Sequence, residues 1–503
     1  MMTRMSTDVA WRSTNMNVDG ESPQSQRRID RIDRRLLVSI TALGFGLPVF
    51  GYFWFLHHFS VDAVVGDQWD DVTVIKQSYV HFFDWGPMWA QHNENRIFFP
   101  NIVVVILAHT AHFNIKIEEF LGAVMLTVAT AFLVWAHKRR SPSMPWLFYC
   151  PVAFLALSVV QYGNTTWGFQ LAWFMVLISL ATAVLLLDRE TLTWMALLGA
   201  CLAGVVGSFS SLQGLIIWPT GLVLLYYRRR NMRHFIIWIL AGIASAVIYF
   251  YHFDFSASPD SGFAREHPLE ALKFFLFVIG DVVGKPVRLG TSTADNTLVV
   301  VFGLLIVLLA VVTVLVCGVK RDEQSASPVG IALICYGLLF ALFVTQGRSY
   351  FGYGGASFSR YTTFDLLILV GIYLALLGRS SHAREISMPR EDALAPRSLA
   401  AGSVPAGMTL ERLKHTGATC AWVGIVAVMC IQLSFGTLNG INGERGNYAY
   451  NVRAAGILRN VNHAPNNQVA RMYPFALVPF IRGQAHVLQI HGLSVFAGNP
   501  SGG

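Results

Sequence analysis

Three aspartates, Asp67, Asp70 and Asp71, sit within the stretch GDQWDD just beyond an apolar run, in a chain whose charged residues make up only 13% of the total. A carboxylate so placed can act as general base on an acceptor hydroxyl. Arg348 and Arg360 lie in the turn QGRSYFGYGGASFSRY (346–361), and the planar guanidinium fork can hold two oxygens of one phosphate. Together these groups suit transfer away from a phosphate-linked donor, with arginine stabilising the phosphate that leaves. Three further groups would hold a sugar or an acceptor: His92, Glu94 and Arg96 in HNENR; Gln161, Asn164, Trp167 and Gln170 in QYGNTTWGFQ; and Tyr350 and Tyr361 beside the arginines. Asp67 is the first choice for the base, because Trp69 and the adjoining apolar run could partly desolvate it and raise its basicity. Asp70 and Asp71 are the alternatives. Three aspartates could also hold Mg or Mn with a donor phosphate. Solvated helix-start residues are the favoured reading of Asp70 and Asp71, so no metal or other cofactor is expected.

Each segment also has a plainer explanation. A loop outside the membrane is polar because it is wet, Trp167 suits an aromatic belt, and Arg348 and Arg360 could pair with Asp70, Asp71 or Glu94. The convergence of separate segments on one side carries the chemical reading, and that depends on the elements that position them.

Those elements are set by a chain of 503 residues that is 54% hydrophobic, with a mean hydropathy of +0.49. Water cannot be the solvent for most of it, which makes it an all-α polytopic protein of the lipid bilayer. Its net charge of +8 does not indicate nucleic acid, since most clustered Lys and Arg flank apolar runs, where the positive-inside rule places them. The six cysteines lie in or beside apolar runs with no metal-type spacing. Residues 1–35 are polar and basic and lead into an apolar run from Leu36 to Leu56 that ends in FLHHF, which predicts an uncleaved anchor with a cytoplasmic N-terminus. Alternation of apolar runs with basic flanks then predicts about eleven crossings, at 36–56, 117–136, 145–162, 167–187, 193–209, 212–227, 235–251, 298–317, 329–345, 361–377 and 419–435. The layout is a bundle over 36–377 with an external loop at 57–116, a cytoplasmic linker at 378–416, a last span at 417–436 and a short external tail at 437–503. Within the loop, Phe98 to Phe113 reads as a helix lying in the membrane interface. The stretch from Leu269 to Leu289 reads as interfacial or re-entrant, because counting it as a span would put Lys320, Arg321 and the basic linker outside.

This layout resembles the GT-C superfamily of membrane glycosyltransferases: an inside anchor, an acidic external loop, an interfacial helix and a second span ending in HKRR. More closely, GDQWDD, HNENRIFFPNI, WGFQLAW and GRSYFGYGGASFSRYTTF resemble bacterial membrane proteins grouped with the RgtA/B/C/D-like mannosyl and galacturonosyl transferases. The resemblance covers the layout from Leu36 to Leu377. It implies a GT-C-like bundle in the inner (plasma) membrane and an inverting transfer on the periplasmic face. The donor would be a polyprenyl-phosphate-linked sugar, and the acceptor a cell-envelope glycan, lipid or protein. The acidic base in the first external loop would carry to Asp67, with Asp70 or Asp71 in reserve. HNENR stands where the family commonly has HPP, and the tail is short. Two other readings are a transporter or flippase, against which the absence of an inverted repeat argues, and a catalytically inactive scaffold of the same fold.

Overall fold

The computed structural model describes residues 23–255, 262–284, 293–318, 327–387, 406–473 and 477–498. Lys320, Arg321, residues 1–22, residues 285–289 and residues 388–405 of the basic linker lie outside the described residues. The fold is nearly all helix; the strands among the described residues are one antiparallel pair, Gln91–His92 with Asn95–Arg96. Helix follows from composition, because a backbone in lipid must satisfy its own hydrogen bonds.

Nine helices among the described residues are long and apolar enough to cross a membrane. They fall on nine of the runs read as crossings. The other two, Trp194–Ser208 and Leu212–Tyr227, are apolar but shorter than the ~20 residues a bilayer requires. Phe98–Ala111 forms a separate short helix. Pro268–Gly280 is a helix of 13 residues followed by the 3-10 turn Asp281–Val283, too short to cross alone. It packs on the helix Thr293–Gly318 through Gly280 and Gly303, where a Cβ on Gly280 would lie 2.0 Å from Val299 O.

The centre of the bundle is the span Thr362–Ser380, 94% of whose apolar window is buried. It lies backbone to backbone against Ser327–Arg348. A Cβ on Gly330 would fall 2.4 Å from Gly371 O, so only glycine permits this approach. At one end of the bundle three helix termini meet: Arg140 closes Ile115–Arg140, Asp188 follows Leu171–Leu187, and Arg228 follows Ile217–Tyr227. Asp188 is fully buried, with Arg228 Nη2 at 2.5 Å and Arg140 Nε at 3.6 Å.

A second core forms away from that end. Val64, Trp69, Val72 and Ile75 of the first loop pack with Leu458, Val469, Met472, Ile481 and Leu488 from the C-terminal region. The last candidate span does not stop at 435, where its apolar run ends; helix continues from Thr416 to Arg459, with a π-helical stretch at Gln432–Gly436. The expected tail at 437–503 is therefore a folded cap over its described part. Hydropathy measures preference for lipid over water, and this segment's apolar face is satisfied by protein instead.

Candidate functional site

Gly66 begins the site with φ +57°, the left-handed region that glycine enters freely, and a Cβ there would come within 3.1 Å of the Trp167 ring. Its amide donates to Met472 O at 3.0 Å, tying the turn to the cap. The next residue, Asp67, is the N-cap of the helix Gln68–Ser78 but makes no capping bond, so its carboxylate is not spent on the helix start. That side chain is 26% exposed. One turn on, Asp70 is also open, whereas Asp71 is buried and its Oδ2 has no hydrogen-bond partner among the described residues.

The hairpin at 91–96 joins this loop to the bundle. His92 presents Nε2 to Asp67 Oδ2 at 3.7 Å and Nδ1 to Asp70 Oδ2 at 3.5 Å, with Phe169 against its ring. Tyr473, from the cap, donates its hydroxyl to Asp70 Oδ2 at 3.0 Å. A chain of four groups thus runs Tyr473–Asp70–His92–Asp67. On the same hairpin Glu94 pairs with Arg348, and next to that arginine Tyr350 packs on Phe351 with ring centroids 3.9 Å apart. Asn95 Oδ1 accepts from Ser211 Oγ at 2.8 Å and from the Leu212 amide at 3.0 Å.

Not every expected site residue is free for a ligand. Arg96 is buried, and its guanidinium donates to the carbonyls of Trp89, Tyr249, Tyr251 and His252 at 2.7–3.2 Å. It is a strut of the hairpin. Gln161 donates to Ala156 O and Ser158 O and accepts from Thr363. Asn164 donates to Arg360 O at 2.7 Å and to Thr363 Oγ1 at 2.6 Å, and Gln170 is buried. Gln161 and Asn164 join separate helices, which an amide does well where water is excluded, whereas the buried Gln170 Oε1 has no hydrogen-bond partner among the described residues. Trp167 donates from Nε1 to Val65 O at 3.2 Å and covers Gly66. Tyr361 is buried against Trp173 and Phe340. Arg348 takes the ion-pair alternative with Glu94. Arg360 is different: its guanidinium lies over the rings of Phe358 (4.8 Å) and Tyr361 (5.5 Å), forms no ion pair among the described residues, and has a buried Nε without a hydrogen-bond partner there.

Two contributors escape sequence reasoning. Tyr473 is 403 residues from Asp70, and no local pattern marks it. Glu118 is buried behind Asp71 and accepts from Gln68 Nε2 at 3.2 Å, while a Cβ on Gly168 would come within 2.2 Å of its Oε2. A carboxylate pair at the start of an apolar run, Glu118-Glu119, was the available signal. Among the described residues, no group of three or more His, Cys, Asp or Glu is arranged to hold a metal ion.

Burial and charge act together on these groups. Burial raises the Asp70 carboxyl, against the pull of His92 and Tyr473. Asp71 is raised well above its ordinary value, first by burial and then by Glu118, Asp70 and Asp67. For His92 burial alone would lower the imidazole, but Asp67, Asp70 and Glu94 outweigh it and the net shift is upward. A base raised in the folded state stabilises fully below its unfolded value, 6.5 for imidazole, and loses that contribution as pH rises through the folded value. The hairpin is therefore expected to be better protected in wild type than in His92→Gln on the acid side of 6.5, with the difference vanishing as pH rises through the raised value. Amide hydrogen exchange of residues 91–96 in both proteins across pH measures this, and a difference independent of pH would remove the ionic role of His92.

Comparison with protein-family models, with curated proteins and with solved structures finds no match to this chain.

Proposed function

We propose that the protein is a membrane glycosyltransferase of GT-C type, moving a sugar from a polyprenyl-phosphate donor to a cell-envelope acceptor outside the plasma membrane. The observation that carries this reading is Asp67: a partly open carboxylate without a capping bond, held by an imidazole that a second carboxylate orients. In the proposed reaction, an Asp67 oxygen takes the proton of the acceptor hydroxyl as the hydroxyl oxygen bonds to the anomeric carbon. The bond from that carbon to the phosphate oxygen breaks on the opposite face, its electron pair stays on the phosphate, and the configuration inverts. Asp70, itself fixed by Tyr473, orients His92, and His92 holds the Asp67 carboxylate in place.

Arg360 is the group assigned to the donor phosphate, because Arg348 is already committed to Glu94. Lys keeps the charge but loses the two-pronged contact. Arg360→Lys is expected to raise the donor concentration needed for half-maximal transfer by roughly 10-fold, a loss of about 1.4 kcal/mol that falls near the range for hydrogen bonds to charged groups. Arg348→Lys should leave it nearly unchanged. Transfer of labelled sugar from a purified lipid-linked donor in proteoliposomes provides the measurement. An unchanged donor requirement in Arg360→Lys removes the phosphate role.

A second reading has its own support. Asp365, in the span Thr362–Ser380, is fully buried, and neither carboxylate oxygen has a partner among the described residues. Asp365 lies in the first turn of that helix, and an ionisable group buried inside a membrane bundle is a mark of solute or ion paths in transporters. Movement of the lipid-linked substrate across the bilayer without sugar transfer would favour that reading.

A further inference from the structure

Two aromatic clusters flank the hairpin that carries His92 and Glu94. On one side Phe83, Trp85 and Phe98 pack together, with Trp85 stacked on Phe98 at 5.5 Å, and Phe82 stands exposed beside them. On the other, Phe250, Phe253 and Phe255 pack with centroids 4.9–5.9 Å apart, next to an exposed Tyr251. The hairpin locks the clusters to each other. Gln91 exchanges two hydrogen bonds with the backbone of Asp254, at 3.0 and 2.8 Å, and the Arg96 strut joins Trp89 O to the carbonyls at 249, 251 and 252.

These rings are not packed away. Trp85 is 65% exposed and Phe255 67%, levels that a soluble surface tolerates for single residues but not for two adjoining clusters. Continuity indicates what covers them. The helix Met232–Phe250 exposes Ile236, Leu240, Ile243 and Val247 along its outer side, and that apolar side runs directly into Tyr251 and Phe255. Charge supports the same occupant: residues 79–90 and 249–255 contain no Lys or Arg, and their acidic side chains are Asp84 and Asp254. Asp84 is engaged with the Gly86 amide. Aromatic residues at the end of a lipid-facing helix concentrate where headgroups meet acyl chains, since the ring is apolar while Trp and Tyr keep a polar edge.

We infer that the two clusters form one aromatic bracket that seats in the headgroup–acyl boundary of the bilayer and fixes the His92–Glu94 hairpin at that depth. The partner is lipid itself, engaged by apolar contact rather than by headgroup charge. A bracket of this kind would hold Asp67 and its neighbours at the membrane surface whatever reaction they perform.

Photocrosslinking tests the inference without any substrate. Benzoylphenylalanine replaces Phe83 or Phe255 in the full chain reconstituted in phosphatidylcholine vesicles, with Tyr251 as a second site on the bracket and the exposed Asn467 of the cap as the control. Lipid adducts at 83, 251 and 255, absent at 467 and unchanged between low and high salt, are the expected result. Adducts no more frequent at the bracket than at 467 would overturn it, as would crosslinks from the bracket to added oligosaccharide or to protein in place of lipid. A yield that falls steeply with salt would also overturn it, because exposed ionic attraction is screened beyond about 10 Å at 0.1 M while apolar immersion is not.

Discussion

Asp67→Asn is expected to lower sugar transfer by about 10²- to 10⁴-fold, the usual loss for a positioned general base, while leaving the protein folded. The side chain caps no backbone amide, and its ionic contact is His92 at 3.7 Å, so an isosteric amide removes little that holds the loop. The amide cannot take the acceptor's proton. Asp71→Asn should act differently, because Asp71 is buried and cannot meet an acceptor. It removes a carboxyl whose ionisation burial already opposes, and activity should change far less than at Asp67. Asp70→Asn keeps an oxygen for Tyr473 but lowers the negative charge beside His92, so its effect should appear as a shifted pH profile. If Asp67→Asn kept full activity and Asp70→Asn did not, the base would be reassigned and the reaction class would survive. If all three variants transferred sugar at the wild-type rate, the base would lie outside this loop; no transfer by wild type from any lipid-linked donor would bring down the glycosyltransferase reading itself.

The parts of this molecule that face lipid were legible in the sequence, because a bilayer imposes a length and a composition on whatever crosses it. Nine long helices fall where apolar runs predict crossings. The stretch from Leu269 to Leu289, read as interfacial or re-entrant, forms over its described part the helix Pro268–Gly280, which is too short to cross alone. Less legible were the parts whose partner is protein. The region from Thr437 onward is mixed in composition and reads as a wet tail, yet Leu458, Met472 and Leu488 bury against Val64, Trp69 and Ile75. Nothing local announces a contact that spans most of the chain. The site shows the same division. HNENR was recognisable as a concentration of polar groups, but a hairpin sends its side chains in different directions, so His92 meets two carboxylates, Glu94 meets an arginine and Arg96 grips four carbonyls. Read from the sequence, all three were ligand contacts, with an arginine pair as the alternative for Glu94 alone. The roles separate only when each side chain's partner is known, and for Arg96 the partner is backbone from Trp89 and from the end of the helix Met232–Phe250.

Asp188→Ala should cost about 3–5 kcal/mol of stability, the loss typical when one member of a buried ion pair is removed. Asp188 is fully buried and Arg228 nearly so, with Arg228 Nε donating to Asp188 Oδ1 at 2.6 Å. Without the carboxylate, the Arg228 and Arg140 charges would face each other where neither is well solvated. The sign of the effect depends on what remains, so Asp188→Leu combined with Arg228→Leu should recover a large part of the loss: apolar side chains leave no stranded charge and pack at a depth where the two ions were costly to place. Unfolding in mixed micelles by graded denaturing detergent would compare wild type, the single variant and the double variant. A double variant at least as unstable as Asp188→Ala would mean that the ions are required as ions. A single variant as stable as wild type would mean that the three helix ends do not meet.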